Sequence, residues 1–265
     1  MVIGAIGHYV RTFLQTVSSL IWLLIDMVAE MGDHISRGRL PFRRSVFFEQ
    51  GERAGLGSVP LVCMVSFFLG LTMALLTGYQ LRTFGTERLV PGLITIAFWR
   101  ELGPLMTGII LAARIGAAYT AELGTMTVSE EVEAIEAMGL GPLRFLVAPR
   151  LTALVVLMPA LVVMSNLAAL FGTYMICQIS FNINGHNFID LVLEALILKD
   201  VVLGMAKSLL FGLIIGLIAC YSGLTVKGGA AGVGNATTKS VVATITTVIG
   251  VDTFLNMLQV NVLNN

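Results

Sequence analysis

The stretch that decides the fold runs from Phe98 to Gly139 and reads FWRELGPLMTGIILAARIGAAYTAELGTMTVSEEVEAIEAMG. It opens with an adjacent arginine and glutamate inside an apolar run, continues through a Gly- and Ala-rich segment, and ends in an acidic segment. Charge at mid-bilayer costs about 2.5 to 3.5 kcal/mol and therefore marks functional positions in membrane helices. The stretch predicts a membrane helix with buried charge that leads into a short exposed helix.

Composition supports a membrane assignment for the whole chain. The 265 residues are 56% hydrophobic and 12% charged, whereas soluble domains carry about 25% charged residues. The net charge is zero, so the basic footprint of a nucleic-acid-binding protein is missing. The three cysteines lie in apolar runs and the three histidines are far apart, which predicts neither a disulfide framework nor a metal site.

Five predominantly apolar runs are long enough to cross a bilayer, which takes about 20 residues. We place the spans at residues 54–81, 90–118, 151–180, 201–221 and 239–262. Pro159 interrupts the third span, and a glycine-rich loop over residues 222–235 precedes the fifth. An outer segment over residues 182–200 is expected to form a short helix with Asn187 near its cap.

The N-terminal segment differs from the five spans. Between Arg11 and Asp26 lie only 14 uncharged residues, fewer than a span needs. Residues 8–31 therefore predict a helix lying in the membrane interface, with a short first span as the alternative. The predicted fold is an all-α integral membrane protein, with an N-terminal interfacial helix and basic segment (1–50) and a five-span domain (51–265) that includes a short cytoplasmic coupling helix.

The distribution of lysine and arginine predicts the orientation. Ten of these residues fall on one side of the predicted spans, among them the cluster from Arg37 to Arg53, and three fall on the other side. Cytoplasmic loops are enriched in lysine and arginine. The N-terminus is therefore predicted to be cytoplasmic and, after an odd number of spans, the C-terminus to lie outside.

Charged residues of three spans are predicted to lie at one depth. At 1.5 Å per helical residue, Arg100, Lys207 and Asp252 each stand about 20 to 22 Å above the inner membrane edge, where Arg114 lies. Glu101 follows Arg100 but projects about 100° away, so these two need not pair. One interpretation is a polar site facing a cavity, in which two cations would receive an anionic headgroup if Asp252 points elsewhere. The alternative is a set of structural ion pairs.

The acidic segment over residues 128–138 has helical periodicity. Glu130, Glu133 and Glu136 share one side of a helical wheel, and the opposite side is apolar: Val128, Val132, Ile135 and Met138. Thr127 or Ser129 is a candidate N-cap and Gly139 a stop signal. The pattern predicts a short amphipathic helix on the cytoplasmic side. It is either a passive interfacial helix or a coupling helix that docks into a cytoplasmic motor.

Several motifs resemble the MlaE-type (YrbE-like) permease family, the permeases of ABC lipid transporters that work with MCE-domain proteins. They are WRELGP (99–104), ARIGAAYTAELGTM (113–126), EAIEAMG (133–139), PLRFLVAPR (142–150) and AGVGNATTKSVV (231–242). The resemblance implies a homodimer in the bacterial inner membrane, two ABC ATPase subunits, a periplasmic MCE-domain hexamer and, in many bacteria, a STAS-domain protein. The implied function is phospholipid transport that maintains outer-membrane lipid asymmetry.

The resemblance also assigns candidate site residues. Arg100, Glu101 and Lys207 match the polar cavity of the family, and the apolar candidates for the lipid tails are Met73, Leu76, Leu81 and Phe84. The candidates for ATPase coupling are Glu130, Glu133, Glu136, Met138 and Gly139, and the further intramembrane charges are Arg114 and Asp252.

No catalytic residue or metal site is expected, because the sequence contains no Walker A, HExxH or GxSxG motif. ATP and Mg²⁺ would then bind the partner ATPase and no cofactor would bind this chain directly. The alternatives are an ion-coupled secondary transporter with Asp252 or Glu101 as a proton site, an ABC permease for a small solute, and a membrane enzyme acting on lipid.

Overall fold

The computed structural model describes residues 49–263 and, before them, residues 18, 22 and 25. Apart from those three positions, the predicted interfacial helix over residues 8–31 lies outside the described residues, as does the basic segment over residues 37–44. Within the described part, the chain is helical and contains no strand. The predicted all-α class is confirmed.

From Val59 onward the described chain forms seven helices, when a helix is taken as continuous through the wider or tighter turns inside it; a helical segment over residues 49–56, with a π turn at Glu52–Leu56, precedes them. They are α1 (Val59–Arg82), α2 (Glu87–Val128), α3 (Glu131–Ala137), α4 (Leu143–Phe181), α5 (Gly185–Ala195), α6 (Leu198–Leu224) and α7 (Gly229–Leu263). Five of them, α1, α2, α4, α6 and α7, are long and apolar enough to cross a membrane. The five predicted spans are confirmed.

The helices extend well beyond the predicted spans at three ends, and the predicted interruption at Pro159 is wrong. Helix α2 continues to Val128 rather than ending near residue 118, α4 begins at Leu143 rather than at residue 151, and α7 begins at Gly229 within the predicted glycine-rich loop. Pro159 lies inside α4 without interrupting it. A helix satisfies its backbone hydrogen bonds internally in water and in lipid alike, so neither the membrane edge nor a polar residue needs to end it.

The end of the bundle at which α1 begins and α2 ends is called the inner end, after the orientation that the basic residues predict. At 1.5 Å per residue, α2 is about 63 Å long and α4 about 58 Å, whereas the bilayer core is about 30 Å thick. Both helices therefore extend beyond the membrane, and α3 connects them at the inner end. The amphipathic helix α5 lies at the outer end; its N-cap is Asn184, and Asn187 lies three residues further on, near the cap as predicted.

Helix α6 is the centre of the bundle and packs against α2, α4 and α7. The largest side chains of this core include Leu111, Met158, Phe211 and Ile215, all fully buried. Since lipid tails are as apolar as these side chains, close van der Waals packing stabilises the bundle rather than transfer from water.

Helices α1 and α4 approach each other through small residues. A Cβ atom at Gly70 would collide with the carbonyl oxygen of Ala169, and one at Gly172 with that of Phe67. The close approach brings the hydroxyl oxygens of Ser66 and Ser165 to 2.7 Å. Glycine at both contact points is therefore a packing requirement of this helix pair.

Candidate functional site

The amine of Lys207 holds a buried polar cluster in the outer half of the bundle. Its Nζ donates to Glu101 Oε2 at 2.6 Å, to Asp252 Oδ1 at 3.0 Å and to Asn256 Oδ1 at 2.6 Å. The Asn256 amide in turn donates to Glu101 Oε1 at 2.7 Å. The side chains of Lys207 and Asp252 are each 5% exposed. Residues of α2, α6 and α7 thus meet at one depth, as the depth estimate predicts.

Arg100 forms a second ion pair beside this cluster. Its Nε donates to Asp200 Oδ1 at 2.5 Å. The Asp200 side chain is 1% exposed, whereas that of Arg100 is 34% exposed. The two adjacent residues of α2 therefore take different partners, Asp200 for Arg100 and Lys207 for Glu101, and both keep part of their surface accessible.

The backbone of α2 is adapted at this point. Residues Phe98–Leu102 form a π-helical turn that is followed by Pro104. Proline has no N–H to bond the carbonyl four residues earlier, and π turns inside α-helices frequently occur at functional sites. Opposite this turn, a Cβ atom on Gly204 of α6 would collide with the Trp99 carbonyl oxygen. The wide turn and the glycine bring α2 and α6 close enough for both ion pairs.

The charge balance of the cluster corrects one expectation. Asp252 does not point elsewhere but bonds Lys207, and Asp200 adds a carboxylate to the set. Two cations, Arg100 and Lys207, therefore face three carboxylates. The cations do not outweigh the acids, so the cluster is not a simple anion site. The charged residues form ion pairs, as the structural alternative expects, and one of them, Lys207, also lines a cavity.

A cavity of about 340 Å³ lies between α6 and α7. Lys207 forms part of its wall, Lys199 and Gln259 contribute further polar groups, and the remaining lining is apolar: Leu203, Ala206, Leu210, Leu255 and Leu258. Such a cavity, apolar with a few polar groups, has the composition of a ligand site. An amphiphile would place its chain on the leucines and its polar end near the amine.

The structure does not bring the predicted tail residues to this cavity. Met73 and Leu81 pack partly buried against the outer core formed by α1, α2, α4 and α5, while Leu76 and Phe84 are exposed. Helix α1 packs mainly along α4, on the other side of the bundle from the cavity. Within one chain, a lipid in the cavity would therefore contact α6 and α7 rather than α1.

Arg114 lies at the level where α1 begins. Its Nη1 donates to the Ser58 hydroxyl at 2.5 Å, and Ser58 is the residue before α1. Arg114 belongs to a second π turn, Ala112–Gly116. This arginine joins α1 to α2 near the inner membrane edge and is separate from the outer polar cluster.

The predicted coupling segment forms helix α3, which is shorter than the pattern suggested. Glu130 adopts a left-handed conformation (φ 62°) and separates α2 from α3, so Val128 belongs to α2. Neither Thr127 nor Ser129 caps α3, because their hydroxyls bond carbonyls of α2. Gly139, at φ 74°, ends the helix, with the Leu140 N–H bonded to the Ile135 carbonyl.

The two faces of α3 have opposite environments. Val132 and Ile135 pack against the inner core, whereas Met138, the residue that follows α3, is 67% exposed. The acidic candidates Glu130, Glu133 and Glu136 are exposed. Helix α3 is thus anchored by two apolar residues and presents carboxylates to the inner side.

Sequence reasoning missed two residues of the polar cluster. Asp200 was assigned to the outer edge of a span, yet it lies in the first turn of α6 and is buried. Asn256 is uncharged, and the predicted cluster was based on charged residues alone. Its position one helical turn after Asp252 was the available signal, since residues four apart share a helix face.

A multi-pass membrane domain with a mainly apolar cavity beside Lys207 and an acidic helix at its inner end is the arrangement expected of the membrane subunit of a transporter. The family model described as "Permease MlaE" matches residues 47–258. The chain belongs to this family of ABC transporter permeases.

Similar proteins occur in bacteria and in a plant. A "Probable ABC transporter permease protein" of Rickettsia typhi is 36% identical over 202 residues, which cover 76% of this chain and 78% of the relative. One of Synechocystis is 32% identical over 226 residues, 85% of each chain. The protein TRIGALACTOSYLDIACYLGLYCEROL 1 of Arabidopsis thaliana, described as chloroplastic, is 33% identical over 231 residues, 86% of this chain and 65% of the relative.

Proposed function

We propose that this permease moves phospholipid between the bacterial inner membrane and an MCE-domain partner, and thereby maintains outer-membrane lipid asymmetry. The observation that carries the proposal is the mainly apolar cavity between α6 and α7, whose polar lining residues are Lys199, Lys207 and Gln259. An amphiphile fits both the apolar and the polar part of such a site. The plant relative, which is named for a glycolipid, supports a lipid as the cargo.

The charges favour a zwitterionic headgroup. The two groups of the cluster with the most accessible surface are Arg100, whose side chain is 34% exposed, and Glu101, at 30%. A guanidinium forms strong, often bidentate bonds with phosphate, and a carboxylate accepts bonds from an ammonium group. A headgroup with one phosphate and one ammonium would pair with both residues, whereas a purely anionic one would meet an excess of carboxylates.

The other subunits of the transporter are inferred from the family, because an ABC permease works with separate subunits that bind the nucleotide. Two cytoplasmic ATPase subunits would bind ATP and Mg²⁺, and this chain would be a non-catalytic subunit that receives their motion at α3. The exposed carboxylates Glu130, Glu133 and Glu136, with Met138 and Gly139 beside them, form the proposed contact.

A second copy of the chain would complete the membrane part. An MCE-domain hexamer would dock at the outer, periplasmic end, and a STAS-domain protein would accompany the ATPase. In this arrangement the N-terminus is cytoplasmic and the C-terminus periplasmic. The tail candidates Met73, Leu76, Leu81 and Phe84 lie on α1 or directly after it and would contact lipid on the other side of the bundle from the cavity.

Mass spectrometry of lipid retained by the purified complex of permease and ATPase tests this function. We expect phospholipid in near-stoichiometric amount. Ala206→Trp, which fills the cavity, should remove it, while Val202→Trp on an exposed part of α6 outside the cavity lining should not. A complex that retains no phospholipid would contradict the proposal, and a cavity-filled variant that retains as much as wild type would place the lipid elsewhere.

A further inference from the structure

An ion pair at the inner end connects α4 to α2. Arg150 Nη2 lies 3.2 Å from Glu122 Oε2, and Nη1 donates to the Leu146 carbonyl at 2.8 Å. The guanidinium carbon stands 5.9 Å from the centre of the Tyr119 ring, within reach of a cation–π interaction. The Arg150 side chain is only 10% exposed. Three contacts therefore fix the position of this buried cation.

The pair closes the stretch of chain that contains α3. Glu122 lies about two helical turns before the end of α2, and Arg150 about two turns after the start of α4. Everything between them, including all of α3, is a connection whose two ends the pair holds together. We refer to residues 122–150 as the elbow.

Apolar packing holds the same elbow from within. Val132 and Ile135 of α3 contact a buried cluster to which all three neighbouring helices contribute: Leu123 of α2, Leu146, Val147, Ala148 and Leu151 of α4, and Leu217 and Cys220 of α6. Packed side chains transmit displacement because protein interiors are close-packed. The apolar contacts resist compression of the elbow, and the ion pair of Glu122 and Arg150 adds a directional bond between α2 and α4.

We propose that Glu122 and Arg150 are positioning residues that make the elbow move as one body, so that motion received at α3 reaches α2 and its polar cluster. Without the pair, α3 can swing while α2 stays in place. Separation of the pair is resisted because Arg150 would remain buried without its carboxylate. The proposal names a step within the proposed lipid transport and rests on that function for one of its two readouts.

The first test compares lipid transferred per ATP hydrolysed by the complete transporter. Glu122→Gln keeps the size of the side chain but removes its charge. We expect transfer per ATP to fall about fivefold or more, the lower end of typical coupling effects, while ATP hydrolysis and assembly persist. Arg150→Lys, which retains the cation, should be milder, and Glu194→Gln on the exposed face of α5 is the matched control. Wild-type transfer per ATP in Glu122→Gln would overturn the proposal.

The second test does not depend on lipid. Spin labels at Thr125→Cys and Phe145→Cys, both exposed positions at the inner ends of α2 and α4, report the width of the elbow in a chain whose cysteines 63, 177 and 220 are replaced. With the pair intact, we expect one narrow distance distribution with and without ATP. Glu122→Gln should broaden it.

The two tests separate the two proposals. Identical distributions in Glu122→Gln and its parent would overturn the role of the pair. A parent complex that keeps a narrow distribution but transfers no lipid would count against the lipid function alone. If the Glu122→Gln complex does not assemble, Arg150→Lys is judged by the same criteria.

Discussion

The amine of Lys207 has three hydrogens, and three protein partners take them: Glu101, Asp252 and Asn256. An incoming phosphate can bind this amine only by replacing one of those partners. Arg100 and Glu101 keep accessible surface and would meet a headgroup first. At the scale of single residues, the hydrogens of the Lys207 amine are therefore all bonded within the protein, and Arg100 and Glu101 are the cluster members that a ligand can reach.

Removal of the Lys207 charge should destabilise the permease strongly. Lys207→Met leaves the carboxylates of Glu101 and Asp252 without a cation, and breaking a buried pair typically costs about 3 to 5 kcal/mol. We expect a lower midpoint of thermal unfolding in detergent. Asp252→Asn should restore part of the loss in the double variant, because it removes one of the unpaired charges.

Lys199→Met is the control for this experiment. Lys199 is also a lysine of α6 beside the cavity, but it is exposed, and exposed charges contribute little to stability. Equal unfolding midpoints for Lys207→Met and Lys199→Met would contradict the network described for Lys207.

At the scale of elements, α2 shows both what the sequence predicts and what it does not. Apolar runs define the five spans, and a rise of 1.5 Å per residue correctly brings Glu101, Lys207 and Asp252 to one depth. The partners within the cluster depend on rotation about the helix axis. The π turns Phe98–Leu102 and Ala112–Gly116 each change the direction in which the following side chains project. A helical wheel assumes a constant 100° per residue and therefore does not predict this change.

The limits of α2 and α3 were unpredictable for a related reason. Helix α2 ends where Glu130 takes a left-handed conformation, which glutamate seldom adopts, so no sequence signal marks it. By contrast, Gly139 is the usual residue for the left-handed end of a helix, and the predicted end of α3 is close to the observed one. A helix boundary can be predicted from sequence when the residue type itself prefers the required backbone conformation, as Gly139 does. It cannot be predicted when the residue type does not, as at Glu130.

Reversal of charge on α3 should uncouple the transporter without unfolding it. Glu133 and Glu136 are exposed and take no part in the core, so Glu133→Lys with Glu136→Lys should leave the permease folded. We expect weaker binding of the ATPase and loss of lipid transfer, measured by co-purification and by a transfer assay. The control is Glu194→Lys on α5, at the opposite end of the bundle. Unchanged ATPase binding and transfer would show that α3 is not the coupling contact.

At the scale of the whole molecule, α7 is the least covered of the five membrane helices. Its exposed side carries Thr238, Thr246 and Gly250, which are small or bear a hydroxyl, together with the apolar Val242, all at helical spacing. Small and hydroxyl-bearing residues are typical of helix–helix interfaces in membranes, where they permit close backbone approach. This face is suited to a second copy of the chain, as the proposed homodimer requires.

A cysteine at position 246 should form a disulfide between two copies. In a symmetric dimer, a residue near the two-fold axis faces its own counterpart. We expect Thr246→Cys to give a crosslinked dimer on mild oxidation in membranes, detected by electrophoresis without reductant. Phe171→Cys, on the exposed side of α4, is the control. Crosslinking at position 171 but not at 246 would assign the dimer contact to another face.

Arg114, which bonds Ser58, lies midway along α2 between Arg100 and the inner end of the helix at Val128. Fourteen residues separate Arg114 from Arg100 above it and from Val128 below it, about 21 Å in each direction. If α2 pivots at Arg114, where it is tied to α1, a sideways displacement of Val128 produces an equal displacement of Arg100 in the opposite direction. The part of α2 from Arg100 to Val128 would then act as a lever with arms of equal length. The displacement at the polar cluster would equal the displacement that the ATPase imposes at the inner end.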